Sequence, residues 1–337
     1  MKKMNVGIIG AGRIGRVHAQ SISYQIPNAT IKAVSDVRLD GVEEWAKSLG
    51  IENVYADYHK ILEDKDIDAV LVCSSTDTHA QISIEAAEAG KHIFCEKPID
   101  YDLDRINKVL AAVEKAGVKF QVGFNRRFDH NFSHINQVTK DGVIGDPHII
   151  KITSRDPEPP PIEYVKVSGG IFFDMAIHDF DMARFQAGCE ATEVYAVGDA
   201  LVDPEIGKAG DVDTAVITIK FENGAIAVID NSRRAAYGYD QRVEVFGSKG
   251  SVEARNDTET NTVVRTADNV TSDKPLYFFL ERYMGSFVEE MKQFFAAIEN
   301  DTETPVKGID GLNSVIIAMA AKKSLDEGRP VKISEIC

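Results

Sequence analysis

The chain has 337 residues, 44% hydrophobic and 27% charged, with a formal net charge of −15. That length exceeds one ordinary core and implies about two domains, and no apolar run approaches the roughly 20 residues of a membrane span. The composition is that of a soluble globular protein, and an acidic surface, which repels phosphate backbones, argues against nucleic acid as a partner. Cys73, Cys95, Cys189 and Cys337 are widely spaced and form no CxxC pair. A disulfide framework or zinc site is therefore not expected, no other metal site is evident, and a reducing cytoplasm fits.

The N-terminal MKKMNVGIIGAG has two lysines before an apolar stretch but lacks a cleavage region, so it reads as a first strand and not as a leader. Val6–Ile9 is continuously apolar, the pattern of a strand buried on both faces. It enters Gly10-Ala11-Gly12-Arg13-Ile14-Gly15 and a helix to about Ser23. A second strand, Ile31–Val34, ends at Asp36, and a helix follows that stops at Gly50. Asp68–Ser75 reads as a strand, Thr78–Ala89 as a helix, His92–Cys95 as a strand, Leu103–Ala116 as a helix and Val118–Val122 as a strand. Strands separated by helices make a parallel, doubly wound sheet of α/β class, the Rossmann pattern. The first domain is expected at 1–123.

The three glycines follow a strand, open a helix and have an acid, Asp36, 21 residues after Gly15. That context points to a dinucleotide. Gly10 permits the tight turn, Gly12 lets the backbone approach a pyrophosphate at the helix start, and Gly15 lets the helix pack close. Asp36 can accept from both adenosine ribose hydroxyls and would repel a 2′-phosphate, which favours NAD over NADP. Arg38, two residues on, softens that preference.

The remainder, 124–337, reads as a C-terminal α+β domain with an open-faced, mainly antiparallel sheet, whose last helices could pack back on the first domain. His148–Thr153 alternates like a strand, and Asp156–Pro161 (DPEPPP) must be a rigid loop. Phe172–Gln186 reads as one helix. Glu193–Val197, Thr214–Phe221, Ala225–Asn231, Arg242–Phe246 and Ser251–Ala254 alternate as strands between turns. Asp257–Lys274 is a polar surface excursion, Leu280–Ile298 and Gly311–Glu327 are amphipathic helices, and Val331–Ile333 is a closing edge strand.

Oxidation of an alcohol by hydride transfer needs a base for the hydroxyl proton and a group that stabilises the oxygen. Two segments offer them. Cys95-Glu96-Lys97-Pro98 lies at the carboxyl end of a strand, the edge where open parallel sheets bind ligands. Lys97 there can reach a nicotinamide, and Pro98 fixes the turn, with a cis bond open to it. In Gly169–Asp181, Asp174 and His178 are four apart, on one face of the expected helix, with Asp181 three further on. A carboxylate beside an imidazole makes a general base; an exposed turn lysine and a capped helix with a satisfied histidine are the plainer alternatives.

Together GAGRIGRVHA, SDV, SSTDTHAQ, AGKHIFCEKP, QVGFNRRFD and GGIFFDMAIHDFDMAR resemble the glucose-fructose oxidoreductase/inositol dehydrogenase (Gfo/Idh/MocA) family, and within it the inositol 2-dehydrogenases most. The resemblance implies a Rossmann domain joined to an open-faced sheet, with homotetramers built on that sheet. It implies a catalytic triad of Lys97, Asp174 and His178, with His178 taking the proton, Asp174 orienting it and Lys97 polarising the oxygen. It places substrate contacts at Lys97, Arg127, Asp156, Asp174, His178 and Asp181. The cofactor set is then Gly10, Gly12, Arg13, Ile14, Gly15 and Asp36, with Ser74, Thr76, His79, Glu96 and Lys97 at later strand ends. Tyr237 and Tyr283 are further candidates without a motif match.

The expected activity is NAD-dependent oxidation of a ring hydroxyl of myo- or scyllo-inositol to the inosose, acting on a small polyol, with no membrane partner. Carboxylates and arginines suit a polyhydroxylated ring because each makes paired hydrogen bonds. The DPEPPP loop departs from the family pattern and leaves the isomer open. A sugar dehydrogenase or reductase using NAD or NADP needs the same groups. A cofactor-sensing protein would not need the triad, and a lyase or glycosidase using NAD transiently would need a further acid or base that is not identified.

Overall fold

The computed structural model describes residues 3–337. The chain divides into two compact units. One runs to Phe128 and takes in Met284–Leu312; the other holds Asp129–Tyr283 and Asn313–Cys337.

In the first unit, β1 (Met4–Ile9), β2 (Ala29–Ser35), β3 (Asn53–Tyr55), β4 (Ala69–Val72), β5 (His92–Glu96) and β6 (Phe120–Gly123) form a parallel sheet in the order β3-β2-β1-β4-β5-β6. The strands read as apolar runs because helices cover both faces; all four residues of β4 are buried. The order reverses between β1 and β4, which opens a crevice at their carboxyl ends. Helix Leu103–Ala116 matches its expected bounds: Asp102 accepts from the Arg105 amide and Gly117 (φ 65°) ends it in the left-handed region. The strand expected over Asp68–Ser75 is shorter, and its last residues form the turn into helix Thr76–Glu88, which starts two residues earlier than expected. β3 had no expectation, since three half-buried edge residues carry no periodicity.

In the second unit, β7 (Pro147–Arg155), β8 (Ala191–Asp199), β9 (Thr214–Phe221), β10 (Ile226–Ser232), β11 (Asp240–Gly247), β12 (Gly250–Ala254) and β15 (Val331–Lys332) form a sheet ordered β12-β11-β7-β10-β9-β8-β15. All pairings are antiparallel except β7 with β10. Alternation buries Ile217, Ile219, Ala227, Ile229, Val243 and Val245 on one face. The other face presents Tyr195, Val197, Val216, Val228 and Phe246 to solvent. The polar excursion carries an exposed hairpin of β13 (Val263–Arg265) and β14 (Val270–Ser272), and β15 is the closing edge strand.

Two expected helices are broken. Phe172–Gln186 is Gly170–Asp174 followed by Ile177–Ala187. The Ile171 carbonyl accepts from both Met175 (3.1 Å) and Ala176 (2.8 Å), which widens one turn and restarts the helix out of phase. Leu280–Ile298 is Phe279–Arg282 and Met284–Glu299, with the break at Tyr283. Among the described residues no helix is long and apolar enough to cross a membrane, and the four cysteines are free thiols.

The first core packs Phe94 edge-on to His18 (4.9 Å between ring centres) and against Phe294 (6.0 Å). Phe94 is fully buried. Phe94→Ala should therefore cost about 3–5 kcal/mol in urea denaturation; a loss below about 1 kcal/mol would show that the neighbours refill the space.

Candidate active site

The β1 turn is built for close approach. Gly10 has φ 103°, and a Cβ on Gly15 would lie 2.0 Å from the Gly10 carbonyl oxygen, so the helix Arg13–Gln25 can sit this near the sheet only with glycine. A Cβ on Gly12 would meet no atom within 4 Å. That helix start has no side-chain cap and no acid in its first turn, which leaves the amides at Arg13, Ile14 and Gly15 open to an anion. The residues present thus fit a pyrophosphate. Asp36, one residue beyond β2, accepts from the Ala11 amide (2.8 Å) and the Arg38 amide (2.9 Å), one on each oxygen. These contacts fix the carboxylate beside the turn while each oxygen retains a lone pair for a ribose hydroxyl.

Past β4, the Ser74 hydroxyl is 2.7 Å from that of Thr78, and Thr76 opens the next helix. His79, expected at the cofactor, is buried, with Nδ1 2.8 Å from the Pro98 carbonyl and Nε2 3.0 Å from the Ser74 carbonyl. It is a strut between two strand-end turns. At the end of β5, Glu96 Oε1 lies 2.7 Å from His18 Nε2, tying this strand end to the first helix. Lys97 follows, half-buried, and its bond to Pro98 is cis. Glu290 is fully buried; burial, and then the Glu96 charge, push its carboxyl well up. Burial likewise raises the Cys73 and Cys95 thiols, so neither offers a thiolate at neutral pH. Arg127, expected at substrate, pairs with Asp310 at 3.0 Å in a 3₁₀ turn past β6.

In the second unit, Asp174 ends its short helix. Its Oδ1 accepts from the Tyr164 hydroxyl (2.8 Å) and its Oδ2 from Arg233 Nη1 (2.9 Å). The same nitrogen is 3.6 Å from Asp156 Oδ2. His178 keeps partial exposure in a helix that is otherwise mostly buried. The broken helix removes the continuous turn on which the four-residue spacing of Asp174 and His178 was argued. Asp181 is buried, 4.0 Å from Arg184 Nη1. Tyr237 bridges Arg155 (3.1 Å) and Asp240 (2.5 Å), and Tyr283 is buried, 3.5 Å from Gln241 Oε1.

Sequence reasoning missed Arg233, Tyr164 and Asp211. Asp211 receives the Ile171 amide at 3.1 Å on each oxygen and so caps the helix that ends at Asp174. Arg233 follows a strand that looks antiparallel in sequence; only its parallel pairing reveals that Arg233 lies beside Asp156.

The profile of a family described as an oxidoreductase family with an NAD-binding Rossmann fold matches residues 4–124, and that of a GFO/IDH/MocA C-terminal domain matches 132–253. The chain is 58% identical to an uncharacterized oxidoreductase, YrbE, of Bacillus subtilis (98% of this chain, 97% of that one). It is 51% identical to a protein of Thermotoga maritima named myo-inositol 2-dehydrogenase, over 99% of each. The crystal structure of scyllo-inositol dehydrogenase from Lactobacillus casei with bound NAD(H) and scyllo-inositol is similar, with a TM-score of 0.92 and 32% identity over 99% of this chain and 100% of that one.

Because a Cβ at Gly12 meets no protein atom, Gly12→Ala should leave the melting temperature nearly unchanged but weaken dinucleotide binding, as measured by calorimetry. Wild-type affinity in that variant would remove the turn from the cofactor site.

Proposed function

The chain belongs to the Gfo/Idh/MocA oxidoreductase family, and on that premise we propose that it oxidises a ring hydroxyl of myo- or scyllo-inositol to the inosose with NAD. The full-length likeness to the Thermotoga maritima protein carries this reading. Bound NAD supplies the hydride acceptor. The amides after Gly12 hold its pyrophosphate and Asp36 its adenosine ribose, which sets NAD above NADP. His178 takes the hydroxyl proton, worth about 10²–10⁴-fold in rate. Asp174 orients the imidazole, and Lys97 polarises the reacting oxygen. Arg127, Asp156 and Asp181 are assigned to the remaining hydroxyls; for Arg127 this means sharing its fork with Asp310. The exposed apolar sheet face carries self-association into a homotetramer, since a patch of Tyr195, Val197, Val216, Val228 and Phe246 is costly in water.

Nicotinamide reduction against myo-, scyllo- and chiro-inositol, glucose, xylose and galactose tests the reading. Turnover is expected on a cyclitol with NAD; activity on an aldose alone would move the assignment to a sugar dehydrogenase. His178→Ala should lower kcat by about 10²–10⁴-fold with NAD affinity near wild type, and unchanged turnover would remove His178 as base. Asp36→Ala should raise the KM for NAD and narrow the preference over NADP; a wild type already favouring NADP contradicts the role of Asp36.

A further inference from the structure

β7 and β10 are the parallel pair of the second sheet, and their register sets Ser232 opposite Arg155. One residue beyond lie Arg233 and Asp156, side by side at the same edge. Their backbones are stitched together: the Asp156 amide donates to Ser232 O (2.9 Å) and the Ala235 amide to Asp156 O (2.6 Å). The Arg233 amide donates to Asp213 O (2.8 Å). Asp213 is itself buried and accepts the amides of Leu201, Val202 and Asp203. The guanidinium base is therefore rigid before its side chain is considered.

That side chain is 3% exposed. Its Nη1 meets Asp174 at 2.9 Å and Asp156 at 3.6 Å, while Nε and Nη2 are buried without an acceptor among the described residues. A buried guanidinium with unfilled donors is a poor stabilising device, because each such donor forfeits its water. It is explained by what it arranges.

We propose that Arg233 is a positioning residue, holding the carboxylates of Asp174 and Asp156 at a fixed separation so that one orients the base and the other meets substrate. This rests on the function proposed above. The acids facing the guanidinium are Asp174, Asp156 and Asp211, and Tyr164 shares Asp174 with it. Burial acts against its charge, but these carboxylates outweigh burial and keep the guanidinium above the ordinary arginine value. In return the cation pulls the acids it faces downward: Asp211 is raised above the ordinary aspartate value by burial, with Arg233 acting against that rise.

The test compares Arg233→Met and Arg233→Lys with wild type, reading kcat and KM against pH and NAD affinity by calorimetry. Arg233→Met should lower kcat roughly 10- to 100-fold, by analogy with loss of an orienting partner, and raise the acidic limb of the rate profile by about 1–3 pH units. Arg233→Lys keeps a charge on a single nitrogen, as Nη1 alone makes both contacts here, so it should hold the acidic limb and recover part of kcat. NAD affinity should stay at the wild-type value in both. A kcat loss with an unmoved acidic limb in Arg233→Met makes the residue merely structural and overturns the proposal, as does a wild-type rate. If Arg233→Met does not fold, Arg233→Gln, which keeps a donor without the charge, decides: an acidic limb at the wild-type position there overturns the proposal. Carboxyl titration of ¹³C-labelled aspartates, free of any turnover, separates the two readings. An aspartate whose titration moves up in the variant supports Arg233 even where the wild type oxidises no cyclitol, and identical titrations refute it.

Discussion

Parallel strands deliver their carboxyl ends, and the loops that follow, to one edge. Gly10 follows β1, Asp36 β2, Ser74 β4, Lys97 β5 and Arg127 β6, and in the other unit Asp156 follows β7 and Arg233 follows β10. Each of these residues lies within four positions of a strand's last residue. In the first unit every pairing has this sense. In the second, one parallel pair inside an antiparallel sheet does the same for an arginine and an aspartate 77 positions apart in sequence.

Electrostatics follows burial in both units. Asp36 is fixed by two amides and Asp174 by a phenol and a guanidinium, so each carboxylate is oriented before any ligand arrives. Glu290, by contrast, faces the Glu96 charge from within the core and is held towards its neutral form. The first two acids are met by donors, the third by another acid.

Much of the first unit was legible because buried parallel strands are apolar runs and its helices carry end signals, as Asp102 and Gly117 do for Leu103–Ala116. The glycine turn and Asp36 were legible because their spacing is short and local. The break at Met175–Ala176 was not: no proline or glycine marks it, and the doubled bond to the Ile171 carbonyl exists only once the chain is folded. Arg233 was hidden for another reason. Alternation reports which face a residue takes, not the direction of the neighbouring strand, so the partner of Asp156 could not be read from β10 alone.

His79 has a mechanical consequence. Its ring spans the carbonyls of Ser74 and Pro98, and a rigid aromatic ring neither stretches nor bends appreciably. A neutral imidazole donates to only one of the two carbonyls, so the ring ties one turn and acts as a spacer against the other. A shift of the Ser74 turn toward the ring would therefore press on the Pro98 carbonyl behind it.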